Sequence, residues 1–414
     1  MTISSTVGEA LDLRADFPIL GRRIDGRPIV YLDSANTSQK PASVIAAIDD
    51  YYRVHNANIH RAVYALAQEA TDLFEGARER VAAFTGAPVR GTIFTRNATE
   101  AINLVAYAWG REHVGPGDAV LITEMEHHSN IVPWQQLCQE RGAELRYLSV
   151  SGDGTLSLAQ LDEELSRGNV RLAAFAHVSN VLGTINPVAE MCARVRAAGA
   201  VSLVDGSQAV PQLPVDFSLL EADFYAWTGH KALGPTGIGV LHGREEILQD
   251  MRPFLTGGDM IGTVGRQRST WNELPWKFEA GTSMIAEAVG LGAAIDYLAA
   301  TGMRSVRAHE QSLPAQALAE LPAVPGLRVF GPAEPAERGG VIAFAVEGMH
   351  PHDVAELLNR DNVCVRAGHH CAQPLMECLG VPATARASFG PYSVASDVET
   401  LVAALHRARE IFAL

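Results

Sequence analysis

Two short stretches of this chain carry residue types that can do covalent chemistry. The first reads T-G-H-K-A-L-G-P-T-G-I-G, from Thr228 to Gly239. Lysines are seldom buried, and Lys231 sits between His230 and a Gly/Pro-rich turn, just after the apolar run FYAW. Such neighbours lower a lysine's pKa toward nucleophilic use, which fits a Schiff-base lysine. The glycines by themselves signal only a tight turn. Upstream, Asp205 closes an apolar run in V-D-G-S-Q-A-V. It reads either as a helix N-cap with Gln208 as its capping-box partner, or as a carboxylate that keeps a pyridine nitrogen protonated. Asp, Gln and then Thr-x-His-Lys, in this order, favour the second reading.

The second stretch is R-A-G-H-H-C-A-Q-P-L-M, from Arg366 to Met376. Cys371 reads as a small buried hydrophobe or, in a glycine-containing loop flanked by imidazoles and Arg366, as a reactive thiol. Adjacent residues such as His369, His370 and Cys371 rarely converge on one ion. With no Cys-x-x-Cys or His-x-x-x-His pair nearby, a metal site is not expected. Cys364, Cys371 and Cys378 recur every seven residues, but Gly368 and Pro374 interrupt any helix that would align them.

Positioning these groups requires a scaffold, and the chain between about residues 88 and 241 supplies one. Strand-like runs alternate with helical stretches: 92–95, 119–124, 144–150, 171–178, 200–205 and 237–243. Runs such as LAAFAHV are apolar on both faces, which suits a mostly parallel sheet covered on both sides by helices. Ligands of such sheets sit at the carboxyl ends of the strands. His127 and His128, Ser179 and Asn180, and Asp205 all fall just after strand-like runs. A long apolar helix is expected over 285–300, after which shorter αβ units and a Pro/Gly-rich stretch at 322–340 place a domain change near residue 300.

Length and composition agree with one large core and one smaller one. The 414 residues exceed what a single core holds. A composition 47% hydrophobic and 19% charged is that of an ordinary globular protein. The net charge of -14 argues against nucleic acid, whose phosphates need clustered Lys and Arg. No signal-peptide pattern and no run of about 18 apolar residues is evident, so a cytoplasmic protein without a membrane segment is expected. Five cysteines in a chain of this kind point away from structural disulfides.

Taken together, the motifs resemble the fold-type-I pyridoxal-phosphate enzymes, in the class V aminotransferase family, and within them the SufS-like (group II) cysteine desulfurases. The resemblance covers nearly the whole chain. It runs through Y-L-D-S-A-N-T-S-Q-K-P at 31–41, N-A-N-I-H-R at 56–61, T-R-N-A-T-E-A-I-N-L-V at 95–105, E-H-H-S-N-I-V-P-W at 126–134 and H-V-S-N-V-L-G-T at 177–184. It continues through F-E-A-G-T at 278–282, the Cys371 stretch and R-A-S-F at 386–389. The fold it implies is α/β: a large domain with a mostly parallel seven-stranded sheet at 28–300 and a smaller α+β C-terminal domain at 301–414 carrying Cys371. Residues 1–27 would be an extension packing on the small domain.

The same resemblance implies the roles. Lys231 would hold pyridoxal 5'-phosphate and Asp205 its ring nitrogen. Gln208 and Asn180 would lie at the ring oxygen, and His128 would stack on the ring and act in catalysis. Ala98 and Thr99 at a helix N-terminus, with Thr228 and His230, would hold the phosphate, and Thr282 would reach the phosphate of the partner subunit in a homodimer. Arg386 would bind the substrate carboxylate, with Arg366, Asn180 and Asn36 beside it. The reaction implied converts L-cysteine to L-alanine, with sulfur passed as a persulfide on Cys371 to a small SufE-like or SufU-like acceptor for iron–sulfur cluster assembly.

Selenocysteine lyases and cysteine-sulfinate desulfinases share nearly every cofactor residue and are the alternative of the same fold. A scaffold that binds the cofactor without turnover is a further one. The chain departs from the family pattern at Ser34 and Asn36, at Ala62 and Tyr64, at Ser283 and Met284, and in G-P-Y-S at 390–393.

Overall fold

Strands that are apolar on both faces need cover on both sides, and here they have it. The computed structural model describes residues 11–61 and 63–412. Residues 1–10 of the extension expected at 1–27, and the departure at Ala62, lie outside the described residues. Strands β1 (Thr92–Thr95), β2 (Ala119–Thr123), β3 (Glu144–Leu148), β4 (Val170–Ala176), β5 (Val201–Asp205), β6 (Phe224–Thr228) and β7 (Gly239–Gly243) form one sheet in the order β1-β7-β6-β5-β4-β2-β3. Along β6, Tyr225 and Trp227 enter one hydrophobic core while Phe224 and Ala226 enter the other. That is the burial of a doubly covered strand.

Every strand-like run read from the sequence forms a strand. The seventh is FYAWT, seen in the sequence only as the apolar lead-in to Lys231. β7 runs antiparallel to both neighbours, β1 and β6, whereas the remaining pairs are parallel. The connection from Gly229 to Ile238 is too short for the crossover of about a dozen residues that a parallel neighbour requires. It makes a tight return instead, and this return carries Lys231.

Helix α1 (Ala65–Phe84) and the first turn of α2 (Ala98–Val105) flank the sheet, and the apolar helix α3 runs from Ile285 to Thr301. Gly302, at φ 83°, then separates α3 from α4 (Met303–Glu320). Beyond it, β8 (Leu327–Phe330), β9 (Val341–Val346), β10 (Arg366–Gly368) and β11 (Thr384–Ser388) form an antiparallel sheet in the order β8-β9-β11-β10. Helices α4, α5 (Pro351–Asn359) and α7 (Ala395–Ile411) contribute to its core, and α6 (Gln373–Leu379) follows the cysteine loop.

Val30 and Leu32 also belong to that C-terminal core, and Val30–Tyr31 pairs in parallel with Val363–Cys364. The chain therefore passes through the smaller sheet's side before building the larger one. Arg14 forms an ion pair with Asp397 at 3.0 Å, and Phe17 packs its ring on Tyr392. No helix among the described residues is long and apolar enough to cross a membrane.

Candidate active site

Asp205, the last residue of β5, and Lys231, just past β6, line one cavity with Thr228, His230, Gln208, Asn180, Asn36 and the Ala98–Thr99 start of α2. Asn97 caps α2 by accepting from the Glu100 amide at 2.9 Å. Gly239 of β7 passes directly beneath this turn, where a Cβ would stand 2.5 Å from the Asn97 Cα, so only glycine lets the strand and the helix start approach. Burial pushes Lys231 down to about 8, against the opposing pull of the Asp205 carboxylate. An amine with that pKa is part neutral near physiological pH and so available as a base or nucleophile.

Asp205 is 7% exposed, and its Oδ1 accepts from the Ser207 amide at 2.9 Å. This is a local turn contact rather than the helix cap the sequence allowed. Among the described residues its Oδ2 has no donor. Gln208 is no capping partner either, since its Nε2 donates to the Ala35 carbonyl at 2.7 Å. Among the described residues the buried Thr228 Oγ1 has no hydrogen-bond partner.

These observations fit pyridoxal phosphate. An anion-binding set (the α2 N-terminus, the Thr99 hydroxyl, the orphaned Thr228 hydroxyl and His230), an amine (Lys231) and a carboxylate (Asp205) line one cavity. Those are the partners that a phosphate, an aldehyde and a pyridine nitrogen require.

The two adjacent histidines face different parts of the site. His127 lines the cavity shared by Asp205 and Lys231, whereas His128 lines the adjoining one with Lys231 and Cys371. The His127 Nδ1 accepts from the Ser129 amide at 3.1 Å, which leaves the proton on Nε2. Burial first, then the Lys231 charge, pushes His127 down to about 3, so its ring is neutral. His128 is turned onto the cysteine loop. Its amide donates to the Cys371 carbonyl at 2.6 Å, and its Nε2 accepts from the Gln373 amide at 3.0 Å. His127 is extended and precedes the 3₁₀ turn that begins at His128, so the two side chains leave the backbone in different directions, and a motif alone does not say which reaches the cavity beside Asp205.

A second cavity adjoins the first, sharing Asn36, His127, Asn180 and Lys231, and adds Cys371, His370, Arg366 and Arg386. Cys371 is exposed and lies with His370 in the left-handed region, at φ 57° and 53°. Non-glycine residues pay roughly 1–2 kcal/mol each for that conformation, so the loop needs anchors. His370 provides one: its Nε2 meets the Thr384 carbonyl at 3.1 Å and hydroxyl at 2.9 Å. Asn180 provides another, its Nδ2 donating to the His370 carbonyl at 2.7 Å.

Arg386 is buried. It donates to the Asn180 carbonyl at 2.9 Å and pairs with Asp33 at 3.3 Å, and among the described residues its Nε has no partner. Arg366 is more exposed, 3.9 Å from the same Asp33. Burial raises the Asp33 pKa, and Arg386 and then Arg366 oppose the rise. Asp33 was missed as a site residue, although it stands in the Y-L-D-S motif; a buried arginine without a named acid partner was the available signal.

Thr282 lies away from Lys231, lining a surface cavity with Arg96, Glu100 and Leu255. The loop before it is held by Glu279, which accepts from Arg78 at 2.6 and 2.9 Å and from the Phe94 amide at 2.7 Å. Of the departures, Ser34 bonds the Tyr392 hydroxyl at 2.8 Å, and Tyr64 is exposed.

Residues 30–401 match the family described as aminotransferase class-V. The chain belongs to that family. Among its class-V relatives are a probable cysteine desulfurase of Halalkalibacterium halodurans, 50% identical over 404 residues, covering 97% of this chain and 98% of the relative. A cysteine desulfurase of Haloferax volcanii is 46% identical, covering 97% of each. Similar solved structures include the cysteine desulfurase CsdA of Escherichia coli in an S-sulfonic acid form, with TM-score 0.88 and 40% identity over 96% of this chain and 98% of that one. The apo cysteine desulfurase of Thermococcus onnurineus gives TM-score 0.93 and 36% identity, over 98% and 100%. The class-V chain described here thus has the fold-type-I architecture, with its larger, mostly parallel seven-stranded sheet and smaller antiparallel one.

Proposed function

We propose that this class-V enzyme is a pyridoxal-phosphate-dependent cysteine desulfurase of the SufS-like group, converting L-cysteine to L-alanine and leaving a persulfide on Cys371. The observation that carries the reading is that Lys231 and Cys371 line one cavity beside the buried fork of Arg386. Pyridoxal phosphate, when bound, supplies the electron sink for charge that develops at the substrate's α-carbon. The residues of the chain do the rest.

Arg386 holds the substrate carboxylate through its planar fork. Asp205 would hold a proton on the ring nitrogen, and Thr99, Thr228, His230 and the α2 amides would hold the phosphate. Lys231 takes the proton from the α-carbon and returns it. The Cys371 sulfur attacks the substrate sulfur: an S–S bond forms as the C–S bond breaks, the electron pair goes to carbon, and a proton completes alanine. Cys371 is then a persulfide on an exposed loop, placed for transfer to a small SufE-like or SufU-like acceptor that feeds iron–sulfur cluster assembly. The working unit in this reading is a cytoplasmic homodimer in which Thr282 serves the partner's site, with a large domain at 28–300 and a small one at 301–414.

The test is intact-mass and peptide spectrometry after incubation with L-cysteine. One added sulfur on Cys371, absent in Cys371→Ala, is expected. A Cys371→Ala protein that desulfurates cysteine at the parent rate overturns the reading. Retained turnover of selenocysteine or cysteine sulfinate alone marks the alternative lyase of the same fold.

A further inference from the structure

Lys40 ends the loop that runs from Asp33 past Asn36, and it is not used in the chemistry above. Its Nζ donates to the Ser38 carbonyl at 2.6 Å, the Ser38 hydroxyl at 3.2 Å and the His230 carbonyl at 2.7 Å. Among the described residues all its partners are neutral oxygens. A largely buried lysine without a carboxylate is an expensive arrangement, and burial pushes it down to about 7. Ammonium and amine forms both keep two N–H donors for the two carbonyls.

The His230 carbonyl is the point of convergence. Besides Lys40 it faces the Ser38 amide at 3.1 Å, the Ser38 hydroxyl at 3.0 Å and the Thr37 hydroxyl at 3.2 Å. The Ser38 hydroxyl also accepts from the Leu233 amide at 3.0 Å, so one short loop grips the lysine turn on both sides of Lys231. Because a peptide unit is planar, holding the His230 oxygen fixes the plane from which the Lys231 Cα departs.

The gripping loop touches the other groups of the site as well. Asp33 pairs with Arg386, Ala35 accepts from Gln208, and Asn36 lines both cavities. The turn holding the reactive amine and the loop facing the substrate are thereby tied through the His230 carbonyl and the Ser38 hydroxyl.

We propose that Lys40 is a positioning residue for Lys231, bonding the His230 carbonyl so that the Lys231 amine stays registered against the substrate-facing loop. This rests on Lys231 being the group that moves the α-proton. Proton transfer needs the base within hydrogen-bond reach of its proton, and a displacement of about 1 Å costs on the order of 100-fold.

The test compares full-length holoenzyme carrying Lys40→Met, Lys40→Arg or Ser38→Ala with the parent, in steady-state kinetics and in hydrogen–deuterium exchange of the 229–234 segment. Lys40→Met is expected to lower kcat on the order of 10- to 100-fold, with KM for L-cysteine within about twofold, and to speed exchange in 229–234. Ser38→Ala shifts both readouts in the same direction. Lys40→Arg, which keeps N–H donors, recovers most of both. Parental exchange in Lys40→Met, a rise in KM at unchanged kcat, or Lys40→Arg falling as far as Lys40→Met overturns the proposal. A parent enzyme that releases no sulfur overturns the functional reading instead, and the exchange comparison still decides the role of Lys40.

Discussion

The Asn180 side-chain amide donates to the His370 carbonyl at 2.7 Å, tying the loop beyond β4 to the residue before Cys371. The backbone carbonyl of Asn180 accepts from Arg386 at 2.9 Å. One asparagine thus joins the Cys371 loop to Arg386. Asn180→Ala is expected to release the loop, which already carries two left-handed residues, and to slow persulfide formation about fivefold, matching the roughly 1 kcal/mol that such a hydrogen bond contributes. Rapid-quench labelling of the persulfide measures it; an unchanged rate would show that the loop holds its shape without Asn180.

The two histidines of E-H-H should separate functionally. His127→Ala removes a ring from the Lys231 cavity and is expected to weaken cofactor retention about tenfold, within the range of aromatic contacts. His128→Ala leaves retention near parental and lowers the persulfide rate, because it frees the Gln373 amide and loosens the cysteine loop. Dialysis followed by cofactor absorbance, together with the persulfide assay, distinguishes them. The reverse pattern would restore His128 as the stacking residue.

His242, on β7, makes the sheet sensitive to acid. Its Nε2 accepts from the Trp227 indole at 3.0 Å, so the proton sits on Nδ1, facing the Thr92 hydroxyl at 3.1 Å. Burial pushes it down to about 3. The unfolded chain then takes up a proton below about pH 6.5 that the folded chain refuses, so stability falls as pH drops from about 6.5 toward 3. The loss approaches about 1.4 kcal/mol per pH unit for this one group. Urea unfolding at pH 7.5 and 5.5 should show a smaller difference in His242→Gln than in the parent. Equal differences would mean that His242 is protonated in the fold.

In the proposed reaction Asp33 competes with the substrate carboxylate for Arg386. Asp33→Asn keeps an acceptor 3.3 Å from the guanidinium but removes a negative charge next to the incoming carboxylate. KM for L-cysteine is expected to fall about 3- to 10-fold, since like charges at such separations cost on the order of 1 kcal/mol in a part-solvated site. Initial rates at varied cysteine concentration test this; an increased KM would assign Asp33 to holding Arg386 in place.

The amino-acid sequence by itself determined the alternation of strands and helices, the apolar helix of α3, the residues that surround Lys231 and the loop that presents Cys371. Those features are written in hydrophobic period, in Gly and Pro, and in residue types at short spacing, all of which act locally along the chain. Only the tertiary structure decided the antiparallel placing of β7, the entry of Val30 and Leu32 into the C-terminal core, and the different parts of the site that His127 and His128 face. It alone brought Asp33 to Arg386 and Lys40 to the His230 carbonyl. Those relationships join segments separated by up to several hundred residues, and they depend on side-chain direction and on backbone groups that carry no mark in the sequence. Packing sets both, so the chemistry was legible before the fold, while the groups that hold it in register were not.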